Sequence, residues 1–428
     1  MRSRTTRLTL AATAAALTAA LGATTLTAPA TAGAAAIKPA KPTKPGHIKP
    51  SEVRFATFNA SLNRNNAGDL VRDLSTPGNA QAAAVAETIQ RTDPDVLLIN
   101  EFDYVEGGQA AELFRDNYLE VPHNGAAPVD YPYYYVAPVN TGVPSGLDLD
   151  NSGTVGGGND AFGFGFFPGQ FGMAVYSKYP IATDDIRTFQ QFLWKDIPGA
   201  LLPDDPATSV PSDWYSPAEL DAVRLSSKSH WDVPVDVDGR TVHFLVSHPT
   251  PPVFDGPEDR NGTRNHDEIR MWADYVRDRA DYLYDDEGQY GGLPRGTRFV
   301  IAGDQNSDPL DGDSIPGSAQ LLLDNPAINS RTTPTSDGAV QAAQRDGRIN
   351  LEHESDPAFD TADFADNAPG NLRVDYVLPD RSARILDAGV FWPESSDPLF
   401  RLIGTFPFPA SDHRLVWIDA RFPGARGR

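Results

Sequence analysis

The feature that most narrows the fold of this chain is a set of short apolar runs, each closed by a polar residue and divided from the next by a long irregular stretch. Val53-Arg54-Phe55-Ala56-Thr57-Phe58-Asn59 alternates as a half-buried strand. Asp95-Val96-Leu97-Leu98-Ile99-Asn100-Glu101 is almost continuously apolar, which suits a strand buried on both faces. Further strands are expected at 171–177, 241–248, 298–302, 372–378, 388–392 and 415–420. Helices are few. One is expected over 80–91 with Asn79 as its N-cap, and an amphipathic one over 265–285 with Ile269, Trp272, Val276 and Leu283 near one face. Irregular stretches are expected at 139–170, 195–221 and 303–370. This pattern predicts an α/β protein with two packed sheets, helices outside, and function on loops at one sheet edge.

The first 51 residues have a different character. Arg2, Arg4 and Arg7 precede an Ala/Leu/Thr run, and Ala30-Thr31-Ala32 fits a small-residue cleavage site, so residues 1–32 are expected to be a secretory signal peptide. The run is too rich in Ala and Thr for a stable membrane anchor. No adjacent Arg pair is present, which favours the general secretory route and an extracellular protein. No later segment suits stable membrane insertion. Residues 33–51 read as a Pro/Lys-rich linker, either an extended tether or a stub left by cleavage, and 52–428 as the folded domain. The absence of cysteine excludes disulfides, thiol catalysis and Cys-ligated metal sites. The formal charge is −22, and nearer −29 once the seven basic residues of the first fifty, which hold no acid, are set aside. Such a surface repels bulk polyanions, although bound divalent cations can invert the local field. The high polar-loop content points to a monomer.

Several polar residues sit where chemistry can use them. Asp304 and Asn306 lie two apart after a strand and so share a face, and Asp412-His413 places an acid beside an imidazole. An acid, an amide and a histidine in one cleft suit water attack on phosphorus near a hard metal ion. Asn59 and Glu101 each close a strand. Glu101 is a metal ligand, an ion-pair partner or simply the first exposed residue, and an amide with a carboxylate suits Mg²⁺. His248 closes another strand before Pro249, in a structural or a catalytic role. Of Arg260, Arg264 and Arg270, one can clamp a phosphate, with surface ion pairs as the alternative; Arg270 is the candidate. Asp375, inside a strand fit for burial, needs a partner, either His413 or an arginine such as Arg373. Asp148, Asp150 and Ser152 resemble the first half of a Ca²⁺ loop, with a Gly-rich turn as the other reading; the Glu of such a loop is replaced by Asn159 and Asp160.

The segments RFATFNASL, LLINEFD, FGMAVYSKYPI, FVIAGDQNSDP and VDYVLPD, the last followed by ASDHRLV, resemble the endonuclease/exonuclease/phosphatase superfamily across about 52–422. That superfamily includes DNase I-like nucleases, abasic-site endonucleases, neutral sphingomyelinases and inositol polyphosphate 5-phosphatases. The resemblance implies a four-layer α/β sandwich of two packed mixed β-sheets flanked by helices. It implies Asn59 and Glu101 as a metal pair, with Glu101 the principal Mg²⁺ ligand and Asp412 a metal-proximal acid. It further implies Asp304 as the residue that orients or deprotonates water, Asn306 as its partner at the phosphorus oxygens, and Asp375–His413 as a buried couple. His248 resembles the histidine of nuclease-like and phosphatase-like members; the abasic-site branch has tyrosine there. The segment 254–262 and the Gly-rich insertion 139–170 depart from simple nucleases. The expectation is a secreted phosphoesterase using Mg²⁺, with Mn²⁺ as a substitute. Extracellular DNase or RNase activity on nucleic acid, lipid phosphodiesterase activity and a non-catalytic binding module are the alternatives.

Overall fold

The computed structural model describes residues 52–277 and 279–423; the expected signal peptide and linker lie outside them. The strands are β1 Glu52–Leu62, β2 Val96–Phe102, β3 Tyr133–Tyr135, β4 Met173–Ser177, β5 Arg187–Thr188, β6 His230–Asp236, β7 Thr241–Ser247, β8 Phe299–Asp304, β9 Ala362–Asp363, β10 Asn371–Leu372, β11 Asp375–Pro379, β12 Arg384–Val390 and β13 Val416–Arg421. The helices are α1 Asp69–Leu74, α2 Ala80–Thr92, α3 Gln109–Phe114, α4 Pro217–Leu220, α5 Arg260–Tyr275, α6 Gln320–Leu323 and α7 Asp337–Asp346. Two mixed sheets form, in the orders β12-β13-β1-β2-β4-β3 and β11-β8-β7-β6-β5.

Alternation along each strand divides the apolar residues between two faces. Val53, Phe55, Val96 and Leu98 of the first sheet meet Trp231, Phe244, Val246 and Val300 of the second in a central core. The opposite faces pack outward. Phe58, Leu97 and Ile99 lie under Val85 and Ile89 of α2, and Leu245, Ile301 and Leu378 lie under Ile269 and Trp272 of α5. Helix, sheet, sheet and helix make four layers, and β2 reads as continuously apolar because both its faces are covered.

The pairs β1–β2 and β7–β8 are parallel, so their C-terminal ends share one edge. Asp375 opposite Asp304 in the antiparallel β8–β11 ladder brings the start of β11 to that edge as well. The expected helix over 265–285 is shifted. It begins at Arg260 and stops at Tyr275, whose carbonyl accepts from the Leu293 amide. The strand expected over 372–378 is broken, because the Arg373 amide bonds Asp308 and the Val374 and Asp375 amides bond Thr361 Oγ1. Strand β6 carries Pro234, which masks its strand character. Helix α7, N-capped by Ser336, lies inside the stretch expected to be irregular. Among the described residues no helix is long and apolar enough to cross a membrane.

Candidate active site

Asp304, at the end of β8, is the hub of the edge where the strands finish. Its Oδ2 accepts a hydrogen bond from Asn59 Nδ2 at 3.0 Å and lies 3.4 Å from His248 Nε2 and 3.6 Å from His413 Nε2. Its Oδ1 accepts from the Asn306 amide at 2.8 Å. Asn59 Nδ2 also donates to Glu101 Oε1 at 3.2 Å. His413 Nδ1 donates to Asp375 Oδ2 at 2.9 Å, and the same oxygen accepts from Thr361 Oγ1 at 2.9 Å. The Asp375 partner is therefore His413 rather than an arginine. Asn306 is anchored by Nδ2 on the Pro249 carbonyl at 3.1 Å. Ser411 Oγ bonds the Asn59 carbonyl at 2.7 Å and fastens the 411–413 turn to β1. Ser61, Glu101 and Asn306 all hold left-handed backbone, with φ of 47°, 57° and 50°. Such local strain clusters at functional sites.

The charges here are unusually interdependent. Burial raises the Asp304 carboxyl to about 7, against the attraction of His413. Burial alone would lower His413, but Asp375 and Asp304 outweigh it and raise the imidazole to about 10. His248 is pushed well below its ordinary range by burial and by the nearby charges of Lys228 and His413. One histidine thus holds a proton at neutral pH and the other is neutral. Burial raises Glu101, and Asp412 repels it further. Among the described residues neither Glu101 nor Asp412 forms an ion pair. Two carboxylates, neither held in an ion pair, and an amide form a hard-oxygen set that fits a divalent ion.

These residues open into one cleft, which Glu101, His248, Asp304, Asn306, Asp412 and His413 all line. The expectation for Arg270 is corrected. Its guanidinium is held by the Pro198 and Gly199 carbonyls and by Asp274, outside the cleft, because it lies on the face of α5 turned toward 198–199. Arg260 and Arg264 do line the cleft. The residue that sequence reasoning missed is Lys228, which lines the cleft while only 6 % exposed. Its ammonium makes no hydrogen bond or ion pair with the described residues. Burial lowers its pKa, and Glu268, Glu101 and Asp304 oppose that shift. Glu268 of α5 fixes the neighbouring backbone by accepting from the Ser227 amide at 2.6 Å and the Thr250 amide at 2.7 Å. An isolated lysine in the Ser-rich run 225–230 carries no motif; only its burial marks it.

Away from the cleft floor, Asp148, Asp150 and Asp160 present oxygens within 4.8 Å of one another. Ser152 bonds Asp148, and Asp160, in place of the missing Glu, accepts from the Leu149 and Gly156 amides. Much of the acceptor capacity of this loop is therefore used within it.

A profile of the Endonuclease/Exonuclease/phosphatase family matches residues 56–413. No curated protein matches the chain. Solved structures with a similar fold include an endonuclease/exonuclease/phosphatase from Beutenbergia cavernae, at 17% identity and TM-score 0.46, covering 87% of this chain and 72% of that one. A mannosyl-6-phosphatase from Bacteroides thetaiotaomicron is similar at 12% identity and TM-score 0.42, over 86% of this chain and 100% of that one. A mutant beta toxin from Staphylococcus aureus with bound magnesium ions is similar at 13% identity and TM-score 0.40, over 87% and 100%.

Proposed function

The chain belongs to the endonuclease/exonuclease/phosphatase family, whose members hydrolyse phosphate esters, and on that premise we propose that it is an exported, Mg²⁺-dependent phosphoesterase. The observation that carries this reading is the convergence of Asn59, His248 and His413 on one oxygen of Asp304. Export rests on the character of residues 1–32.

In this reading the phosphoryl group sits over Asp304, between the two histidines and Lys228. Asp304 orients a water and takes its proton; a carboxyl raised to about 7 is well matched to that task near neutrality. The water oxygen bonds to phosphorus as the ester P–O bond breaks, and the alcohol leaves toward the open cleft, where solvent protonates it. His413, kept protonated by Asp375, donates from Nε2 to a phosphoryl oxygen. The neutral imidazole of His248 and the second N–H of Asn306 donate to the others, and Lys228 adds a fixed positive charge. Glu101, Asp412 and Asn59 are the residues that would hold Mg²⁺, which when bound supplies a Lewis acid to the phosphoryl oxygens.

The test is hydrolysis of bis-p-nitrophenyl phosphate, p-nitrophenyl phosphate and plasmid DNA, each with Mg²⁺ and with EDTA. Turnover of at least one ester that EDTA abolishes is the expected result and identifies the ester class. Turnover unaffected by EDTA, or none on any ester, contradicts the proposal.

A further inference from the structure

The cleft is larger than a phosphate needs, about 1380 Å³, and its walls are of two kinds. Four basic residues line it, but three are already committed. Arg260 pairs with Glu258. Arg264 is held by the Leu225, Phe162 and Arg224 carbonyls. Arg345 pairs with Asp346 and Asp363. Of these four, Lys228 alone remains for a ligand, beside the protonated His413 of the cleft floor. A nucleic-acid strand is gripped through several phosphates at once, and the cluster Asp346, Asp363 and Asp366 beside the cleft opposes that. The site is equipped to neutralise one phosphate.

The mouth of the same cleft is aromatic. Three loops far apart in sequence each bring an exposed phenylalanine to it: Phe164 (50 % exposed), Phe254 (85 %) and Phe406 (85 %). Phe166, 71 % exposed, packs edge-on against Phe164 at 5.4 Å, and Phe408 does the same to Phe406 at 6.1 Å. Phe254 is held at φ 69°, backbone that bulky residues rarely adopt. Scattered exposed apolar residues need no explanation, but their concentration at one opening marks a binding surface. None of these rings is needed to fill the core.

We infer that the substrate is a single-phosphate ester whose alcohol carries a large apolar group, with the phosphate at Lys228 and Asp304 and the apolar group against Phe164, Phe254 and Phe406. This deepens the phosphoesterase reading and rests on it.

The experiment is titration calorimetry of the full chain, with Mg²⁺, against methylphosphonate and octylphosphonate, neither of which can be hydrolysed. Octylphosphonate is expected to bind at least about tenfold more tightly, since several methylenes leave water. A Phe254→Ala/Phe406→Ala variant is expected to bring the two affinities to within about threefold of each other. Both positions are exposed, and the ratio within one preparation does not depend on the folded fraction. Equal affinities in the wild type, or tighter binding of a thymidine oligonucleotide than of octylphosphonate, would overturn the inference. Turnover of p-nitrophenyl methyl phosphate in the same preparation separates the two ideas. Equal affinities with turnover sink the inference alone, whereas an octyl preference without turnover on any ester sinks the phosphoesterase reading and with it the claim that the bound ester is a substrate. Where the preference holds, co-sedimentation with phosphatidylcholine vesicles assigns a lipid source and its absence a dissolved ester.

Discussion

Asp304 and Lys228 represent the two ways a residue comes to line the cleft. Asp304 was legible in the sequence because it follows an apolar strand and stands two residues before Asn306. Asn59, Glu101, His248 and Asp375 were legible for the same reason: a polar residue at the end of, or within, an apolar run must find a partner. Lys228 had no such signal, and Arg270 had a misleading one, because an arginine on a helix can face either way. Lys228→Met is expected to lower kcat/KM by about 10²–10³-fold, with Lys228→Arg recovering part of the loss, as steady-state kinetics on a small diester would register. Asp375→Asn has a signed pH effect. The wild-type imidazolium of His413 persists to about 10 because Asp375 and Asp304 overcome its burial. Removing one of those carboxylates lowers that value, so the alkaline limb of the pH–rate profile is expected to move to lower pH. An unmoved limb would remove His413 from the protonated role.

At the scale of elements, the Gly-rich insertion 139–170 holds the Lys228 segment in place. The Asn140 amide bonds the Lys228 carbonyl at 2.8 Å, and Asn140 Nδ2 bonds the Ser226 carbonyl at 2.7 Å. Gly163 lies so close to this segment that a β-carbon there would come within 1.8 Å of the Ser227 carbonyl oxygen. Gly163→Ala is expected to destabilise the fold by about 1–3 kcal/mol, by overpacking, and to reduce activity by displacing Lys228. Denaturant unfolding and kinetics on one preparation would check both effects. The sequence marked this stretch as a long loop, which it is, but gave no sign that it braces a second loop 86 residues away, since such contacts leave no local pattern. Helix α7 was missed for a related reason: its Gly338 reads as a breaker, yet the glycine is required where a β-carbon would meet the Trp392 carbonyl oxygen at 2.0 Å.

For the whole molecule, the two-sheet sandwich was legible because each sheet's strands carry their own period of burial, while the order of strands within a sheet was not, since it depends on pairing across long loops. An ion pair also joins parts of the described chain that lie far apart in sequence. Glu87 of α2 is buried and pairs with Arg91 and with Arg401. Burial would raise its carboxyl, but the bonds from Arg401, Asn124 and Arg91 lower it to about 2. A carboxyl depressed on folding stabilises the folded state above its unfolded value. That contribution fades as pH falls from about 4.5, the ordinary value, toward about 2. Glu87→Gln is therefore expected to lower the thermal midpoint at pH 7 and to narrow the difference from wild type as pH falls through this window. A difference independent of pH would contradict the sign. In the proposed function the Asp304 constellation hydrolyses phosphate esters with the help of a metal. The most direct test is the rate of bis-p-nitrophenyl phosphate hydrolysis by wild type and Asp304→Asn at saturating Mg²⁺, with thermal midpoints measured alongside. A loss of at least about 10²-fold is expected in a variant that remains folded; an unchanged rate would remove Asp304 from the reaction.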